Sequence, residues 1–208
     1  MIESRSRNRL LVATSNPGKL AEFRLLLPAS IEIVPLDATS VTMPEETGRS
    51  FAEIADLKAI EASRQSRLPA LADDSGLEVD ALGGDPGILS ARYAGEPADS
   101  ERNIDLLLTE LATFSGDLRA ARFRCAVSFA EGGVVVARAE GSCEGHVADE
   151  RRGAGGFGYD AVFVFPDGRH MAESTTAEKN LISHRALAYR SLLPHIVRFF
   201  DGRTSRIE

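Results

Sequence analysis

Apolar residues in the first part of the chain occur both in short continuous runs and at helical spacing. The run at 10–14 is typical of a buried strand, and the run at 31–36 predicts a second strand. Between them, over 19–27, apolar residues recur at i, i+3, i+6 and i+7, which predicts an amphipathic helix. A strand, a turn, a helix and a second strand in this order indicate an α/β fold.

Two more helices are predicted from the same spacing. Ser50 is expected to cap a helix over 50–67, with Glu53 three residues later completing a capping box. A third helix is predicted over 99–113, where the apolar residues again keep a helical period.

Strand predictions occupy much of the rest of the chain. They cover 69–72, 77–82, 119–130, 134–147 and 161–165. The first two are expected to be separated by an acidic turn at 73–76, and the long pair forms a predicted hairpin around Gly132. From 175 to about 200 the pattern is helical, with Pro194 expected to kink or restart the helix. The pattern predicts a mixed sheet flanked by helices, with the hairpin region as a second lobe.

The composition is that of a globular protein with an acidic balance. Of the 208 residues, 43% are hydrophobic and 26% are charged, which are ordinary proportions. The net charge of −7 argues against a nucleic-acid partner held by general charge attraction, so any polyanion must be bound by a local cationic group. Only three of the 24 basic residues are lysines, at Lys19, Lys58 and Lys179.

The sequence gives no sign of secretion, a membrane span or a structural metal. The longest apolar runs are far shorter than the ~18 residues of a membrane helix, and no apolar segment follows the first arginines. Cys125 and Cys143 lack zinc-ligand spacing and are expected to be reduced and buried. We therefore expect a cytoplasmic protein that does not bind membranes, with a frayed segment at 1–8.

The turn after the first predicted strand has the chemistry of an anion site. A helix start attracts anions through its dipole and its unpaired backbone N–H groups. This one adds hydroxyls, an amide and an ammonium, in the order Thr14, Ser15, Asn16, Pro17, Gly18 and Lys19. It is not a Walker A loop, because Leu20 stands where that motif needs a hydroxyl. The turn is either a phosphate site or simply a capped helix start.

Carboxylates are paired at two places. Asp73 and Asp74 follow an apolar strand, and Glu45 and Glu46 lie in a loop before the second helix. Mg²⁺ commonly binds through one or two carboxylates and takes its other ligands from water and substrate phosphates. Neighbouring strand residues point to opposite faces, so only one aspartate is expected at a given site unless the chain turns there. The alternative is a polar turn capped by aspartate.

The segment 153–158 matches GxGxxG but is not a dinucleotide-binding loop. Charged residues precede it and a strand-like pattern follows, whereas that fold requires a strand before and a helix after. We interpret it as a flexible loop that presents Phe157 and Tyr159, either of which could stack on a base.

Lys179, His184 and Arg185 lie on the last helical stretch. His and Arg donors suit a keto oxygen of a base, whereas an exocyclic amino group would meet donor against donor. The alternative is a solvated basic helix face.

Five segments together carry a family resemblance. They are TSNPGKLAEF, PEETG, LADDSGLEVDALGGDPGILSARYAG, GGFGYD and EKNLISHRALA, in that order over about residues 9–200. The chain resembles the inosine triphosphate pyrophosphatase family, whose members hydrolyse ITP, dITP and XTP to the monophosphate and pyrophosphate. The resemblance implies one domain over 9–208, an elongated α/β fold whose two lobes enclose a central nucleotide cleft. It also implies Mg²⁺ as cofactor and a homodimer.

The resemblance further implies roles for single residues. Thr14 to Lys19 correspond to the triphosphate-binding loop, Lys58 to a further phosphate contact and Ser75 to a substrate contact. Glu46 and Asp74 correspond to Mg²⁺ ligands. Asp74 also corresponds to the proton acceptor, and we place Asp73 and Lys19 with it in the catalytic group. The nucleoside side of the pocket corresponds to Phe157, Gly158, Tyr159, Asp160, Lys179, His184 and Arg185.

Two other functions remain open on the sequence. One is a pyrophosphatase of similar fold that acts on pyrimidine nucleotides. The other is a nucleotide sensor that does no chemistry, although paired carboxylates argue against it because a pure triphosphate binder gains little from extra acids without a metal.

Overall fold

The computed structural model describes residues 8–204, so the predicted frayed segment 1–8 lies, apart from Asn8, outside the described residues. The described part contains five α-helices and six strands. In chain order they are β1 (Arg9–Val12), α1 (Pro17–Leu26), β2 (Glu32–Pro35), α2 (Phe51–Ser66), β3 (Ala70–Val79), α3 (Ser100–Glu110), β4 (Ala120–Glu131), β5 (Val134–Val147), β6 (Phe163–Val164), α4 (Thr176–Ile182) and α5 (His184–Thr204).

The six strands form one mixed sheet in the order β2-β1-β3-β4-β5-β6. β1 runs parallel to both of its neighbours, with Leu11 opposite Val34 of β2 and Ala70 of β3. β6 is antiparallel to β5, with Val147 opposite Phe163. The mixed α/β sheet predicted from the sequence is confirmed.

The chain divides into two compact units. Of the described residues, unit 1 contains 8–74, 126–140 and 188–204, and unit 2 contains 75–125 and 141–187. Each unit has its own buried apolar cluster. In unit 1 small residues such as Ala59 and Ala70 bring α2 close to the sheet. In unit 2 larger side chains such as Leu107, Phe123 and Phe163 fill the core.

The acidic turn predicted at 73–76 is wrong, because β3 continues through this segment as a single strand. Two charged side chains inside a buried strand are costly unless they are paired. Asp73 and Asp74 are both paired with lysines, which removes the reason for the chain to turn towards solvent.

The last helical stretch breaks at Ser183 and not at Pro194, which lies inside α5. Ser183 has an extended backbone, and its Oγ accepts the backbone N–H of Ala186 at 3.3 Å. This is the geometry of a helix N-cap. The break therefore places His184 at the first position of a new helix.

Ser50 caps α2 as predicted, since its Oγ accepts the N–H of Glu53 at 3.2 Å. The reciprocal half of the predicted capping box is wrong. The Glu53 carboxylate accepts the N–H of Arg49 at 2.7 Å, one residue before the cap.

Cys125 and Cys143 are reduced and buried, as the sequence predicts. Among residues 8–204, no helix combines the length and the apolar character that crossing a membrane requires.

Candidate functional site

A fully capped turn joins β1 to α1 and contains the predicted phosphate loop. Asn16 is the N-cap, and its Oδ1 accepts the backbone N–H groups of Gly18 at 2.8 Å and Lys19 at 3.2 Å. The N–H of Asn16 donates in turn to Thr14 Oγ1 at 3.2 Å. Pro17 occupies the first helical position, where its missing N–H costs nothing.

The expectation of unpaired N–H groups at this helix start is therefore wrong for Gly18 and Lys19. The next N–H, of Leu20, donates to the backbone oxygen of Asn16 at 3.1 Å. None of the first four positions of α1 has a backbone donor left over. An anion at this turn must depend on the helix dipole, the Lys19 ammonium and side-chain donors, unless the Asn16 side chain moves away.

Two lysine–carboxylate groups lie in unit 1. Lys19 Nζ is 2.8 Å from Asp73 Oδ2. Lys58 Nζ contacts two acids, donating to Glu46 Oε1 at 2.6 Å and to Asp74 Oδ1 at 2.9 Å. These contacts join the two predicted metal ligands, Glu46 and Asp74, through Lys58, and pair Asp73 separately with Lys19.

The continuous strand explains why neighbouring aspartates have different partners. Successive side chains of a strand point to opposite faces, which accounts for the different short contacts of Asp73 and Asp74. Asp73 pairs with Lys19 of α1, and Asp74 pairs with Lys58 of α2.

Burial controls the protonation of the Asp74 group. Burial raises the pKa of the Asp74 carboxyl, and the charge and hydrogen bond of Lys58 oppose that rise without cancelling it. For Lys58, burial lowers the pKa, but the charge of Asp74 and the hydrogen bonds to Glu46 and Asp74 outweigh it. The net pKa of Lys58 is raised, so its amine remains an ammonium at neutral pH.

Glu46 and Asp74 fit a hard divalent cation. One oxygen of each carboxylate lies within hydrogen-bond reach of a single atom, Lys58 Nζ, so the two acids already converge on one cationic position. Over residues 8–204 no group of three or more His, Cys, Asp or Glu is arranged to hold a metal. A metal at this pair would take its other ligands from water and from substrate phosphates, as Mg²⁺ commonly does.

A pocket of about 330 Å³ opens beside the turn in unit 1. Its volume is at the lower end of the range of ligand pockets, about 300–1,000 Å³. Residues from two stretches line it, namely Thr14, Ser15, Asn16, Pro17, Leu20, Pro35, Leu36, Asp37, Thr39 and Val41. The polar residues of the predicted phosphate loop therefore border a space that can hold a small ligand.

In unit 2, Phe157 forms a partly exposed ring beside two buried cations. Lys179 Nζ lies 5.3 Å and Arg185 Cζ 5.7 Å from the ring centroid, within cation–π range. Lys179 also donates to Asp160 Oδ2 at 2.7 Å. Lys179, His184 and Arg185 are all buried, so the alternative of a solvated basic helix face is wrong.

His184 and Arg185 are each held by a side chain distant in sequence. The imidazole of His184 stacks on Phe123 with 4.8 Å between ring centroids and 13° between planes. Arg185 Nη2 donates to Ser75 Oγ at 3.0 Å. Both donors predicted to read a base are therefore fixed in orientation within unit 2.

The two aromatic residues of the glycine-rich loop have different environments. Phe157 is 37% exposed, but Tyr159 is 5% exposed and its hydroxyl donates to the backbone oxygen of Ser90 at 3.0 Å. The expectation that the loop presents Tyr159 is corrected, because that ring belongs to the core of unit 2.

The same loop requires glycine at position 156. Gly156 has a positive φ of 78°, and a Cβ there would collide with the Asp160 carboxylate.

The predicted site residues thus fall into one group in each unit. The group in unit 1 contains Thr14, Ser15, Asn16, Pro17, Gly18, Lys19, Glu46, Lys58, Asp73 and Asp74. The group in unit 2 contains Ser75, Phe157, Gly158, Tyr159, Asp160, Lys179, His184 and Arg185.

A family model for the Ham1 family matches residues 10–195. The chain belongs to the Ham1 family. A dITP/XTP pyrophosphatase of Methylococcus capsulatus is 49% identical to it over 188 residues, covering 88% of this chain and 92% of that protein. A dITP/XTP pyrophosphatase of Bacillus cereus is 46% identical, covering 95% and 98%.

Solved Ham1 structures have the same fold. A HAM1 protein from Coxiella burnetii has a TM-score of 0.83 and 39% identity, covering 91% of this chain and 98% of that one. A nucleoside-triphosphatase / dITP/XTP pyrophosphatase from Mycobacterium abscessus has a TM-score of 0.73 and 41% identity, covering 89% and 99%. The family resemblance and the α/β fold class predicted from the sequence are confirmed.

Phe123 is the residue of this Ham1-family site that the sequence analysis missed. It lies on β4, where it is buried in the core of unit 2. Its ring also stacks on His184, which lies 61 positions later in the chain. No local sequence pattern encodes a contact between residues so far apart.

Proposed function

We propose that this chain is a hydrolase acting on phosphorus anhydrides, which converts the non-standard purine nucleotides ITP, dITP and XTP to the monophosphate and pyrophosphate. The observation that carries the proposal lies in unit 1, where Lys58 contacts Glu46 and Asp74 and the neighbouring Asp73 contacts Lys19 of the polar turn. Paired acids and lysines are what a metal–triphosphate complex requires, and the relatives named above are dITP/XTP pyrophosphatases.

The residues of unit 1 bind the triphosphate and prepare the water. Lys19 and Lys58 neutralise phosphate charge, and the hydroxyls of Thr14 and Ser15 orient the phosphate chain. Asp74 accepts the proton of a water molecule that attacks the α-phosphorus, as the bond from that phosphorus to the β-phosphate oxygen breaks and pyrophosphate leaves. Mg²⁺ held by Glu46 and Asp74 would supply charge stabilisation on the phosphate oxygens.

The residues of unit 2 select the base. The Phe157 ring offers a stacking surface, and the His184 and Arg185 donors suit the 6-keto oxygen of hypoxanthine and xanthine. Adenine presents an amino group at that position. The donors of His184 and Arg185 would then face the hydrogens of that group, and ATP would not bind. A site whose buried donors are left unpaired discriminates strongly.

The test is pyrophosphate release from ITP, dITP, XTP, ATP, UTP and dTTP, with Mg²⁺ and with a chelator. We expect kcat/KM for ITP, dITP and XTP to exceed that for ATP by at least about 100-fold, with activity abolished by the chelator. Preference for UTP or dTTP would favour the pyrimidine alternative. Tight ITP binding without pyrophosphate release would favour the sensor.

A homodimer in the cytoplasm is part of the same proposal and follows from the family resemblance. Light scattering on the purified chain should give twice the chain mass of 22.4 kDa. A single chain mass at micromolar concentration would contradict the homodimer.

A further inference from the structure

Lys58 occupies the position on which the two predicted metal ligands converge. Its ammonium lies 2.6 Å from Glu46 Oε1 and 2.9 Å from Asp74 Oδ1. The side chains of Lys58 and Asp74 are 14% and 11% exposed, whereas that of Glu46 is 32% exposed. One ammonium therefore contacts both acids.

The carboxylate pair needs a cation at this point. Two carboxylates brought together repel each other, and a buried one is costly without a partner. Glu46 lies in a loop without regular secondary structure, whereas Asp74 and Lys58 are fixed on β3 and α2. The contact with Lys58 therefore links the loop acid to the strand acid.

We propose that Lys58 is an internal counterion that competes with the divalent cation for Glu46 and Asp74. When the metal binds, the ammonium leaves the pair and becomes available to a phosphate oxygen. The inference rests on the proposed function only in taking Mg²⁺ as the metal.

Geometry and charge support an exchange of the two cations. Mg²⁺ sits about 2.1 Å from its oxygen ligands, so it would need much of the space that the ammonium now takes. Two cations that share the same pair of acids repel each other at short range. A lysine has a flexible four-carbon stem, so its ammonium can move to a neighbouring anion while its Cα stays in the helix.

The test measures Mg²⁺ binding by calorimetry without nucleotide. We compare the wild-type chain with Lys58→Met, which keeps an apolar stem and removes the charge. Lys19→Met is the matched control, because it removes a lysine charge from the same group while its partner is Asp73. Removing the competitor should tighten Mg²⁺ binding by about tenfold for Lys58→Met, within the usual range of coupling between linked sites. The control should change it by less than about threefold, because it removes only a more distant charge.

A second measurement uses the unaltered chain, in case Lys58→Met does not fold. Because the chain has only three lysines, trace labelling with an amine reagent and mass spectrometry reports each one separately. Adding Mg²⁺ should increase labelling of Lys58 several-fold and leave Lys179, which is paired with Asp160, unchanged.

The inference is overturned if Lys58→Met binds Mg²⁺ as weakly as the wild type or more weakly, or if Mg²⁺ protects Lys58 from labelling. Neither readout involves turnover. Normal pyrophosphate release with either of these results would therefore reject the counterion role and leave the proposed function intact.

Discussion

Lys19, Lys58 and Lys179 are the only lysines of the chain, and each ammonium lies 2.7 to 2.9 Å from an aspartate of the candidate site. The other 21 basic residues are arginines. An ammonium is a compact point charge on a flexible stem, whereas a guanidinium is a wide planar fork. The three positions therefore suit contacts with one oxygen at a time, such as a carboxylate that gives way to a phosphate.

Asp74→Asn should separate binding from turnover. The amide keeps the size of the side chain but cannot accept a proton from water, so kcat should fall by about 100- to 10,000-fold. The nucleotide dissociation constant should change little. Pyrophosphate release and calorimetry with ITP measure the two quantities, and Asp167→Asn, in an exposed turn, is the control. Near-normal turnover of Asp74→Asn would remove Asp74 from the mechanism.

Phe123→Leu should weaken base selection through His184. The ring of Phe123 holds the imidazole plane, and a misplaced donor no longer reads the keto oxygen. The ratio of kcat/KM for ITP over ATP should fall by about tenfold, a typical cost of a small misplacement. Phe129→Leu, in the core of unit 1, should lower stability without changing the ratio. An unchanged ratio in Phe123→Leu would mean that His184 is positioned by other contacts.

Elements whose signals are local were predictable, and elements that depend on distant partners were not. Ser50 caps α2 as its position indicates, and the hairpin turns at Gly132 as expected. The path of β3 was missed because the acids of 73–76 look like a turn until Lys19 and Lys58 are known to neutralise them. Those lysines lie on two helices that precede the strand.

Arg119 links the segment after α3 to the end of β5 in unit 2, which gives a prediction about stability. Its buried guanidinium donates to four backbone oxygens, those of Leu111, Phe114, Val147 and Ala148. Arg119→Lys keeps the charge but cannot span these acceptors, so the free energy of unfolding should fall by about 2–4 kcal/mol. Denaturant unfolding measures it, with exposed Arg152→Lys as the control, expected to stay within about 0.5 kcal/mol. Equal free energies of unfolding for the wild type and Arg119→Lys would show that the planar guanidinium of Arg119 is not required for stability.

For the molecule as a whole, candidate site residues can be proposed from the sequence, but the contacts between them cannot. The phosphate loop is contiguous, so its residues are apparent from the order Thr14 to Lys19. The contact between Lys58 and Asp74 joins residues 16 positions apart, and Arg185 contacts Ser75 across 110 positions. Such contacts arise from the topology of the sheet and from burial, which the spacing of residues does not encode. The net charge of −7 is a property of the whole chain. It does not oppose local binding of an anion by the few cationic side chains of the candidate site.

Cys143 gives a pH prediction for global stability. Burial, and then the charge of Glu144, raises the pKa of the Cys143 thiol from 9.0 to about 11. The unfolded chain therefore loses this proton at lower pH than the folded chain, and the free energy of unfolding should fall as pH rises from 9 to 11. Cys143→Ala should remove that part of the fall, and Cys125→Ala should retain it. Parallel pH profiles for the wild type and Cys143→Ala would contradict the assignment.

The most direct test of the central claim is to identify the products of ITP hydrolysis. Phosphorus NMR of the reaction with Mg²⁺ distinguishes the two bonds that water could cleave. We predict IMP and pyrophosphate in equal amounts, with no IDP or inorganic phosphate, and no reaction in Asp74→Asn on the same time scale. Formation of IDP and phosphate, or no turnover of ITP by the wild-type chain, would contradict the account.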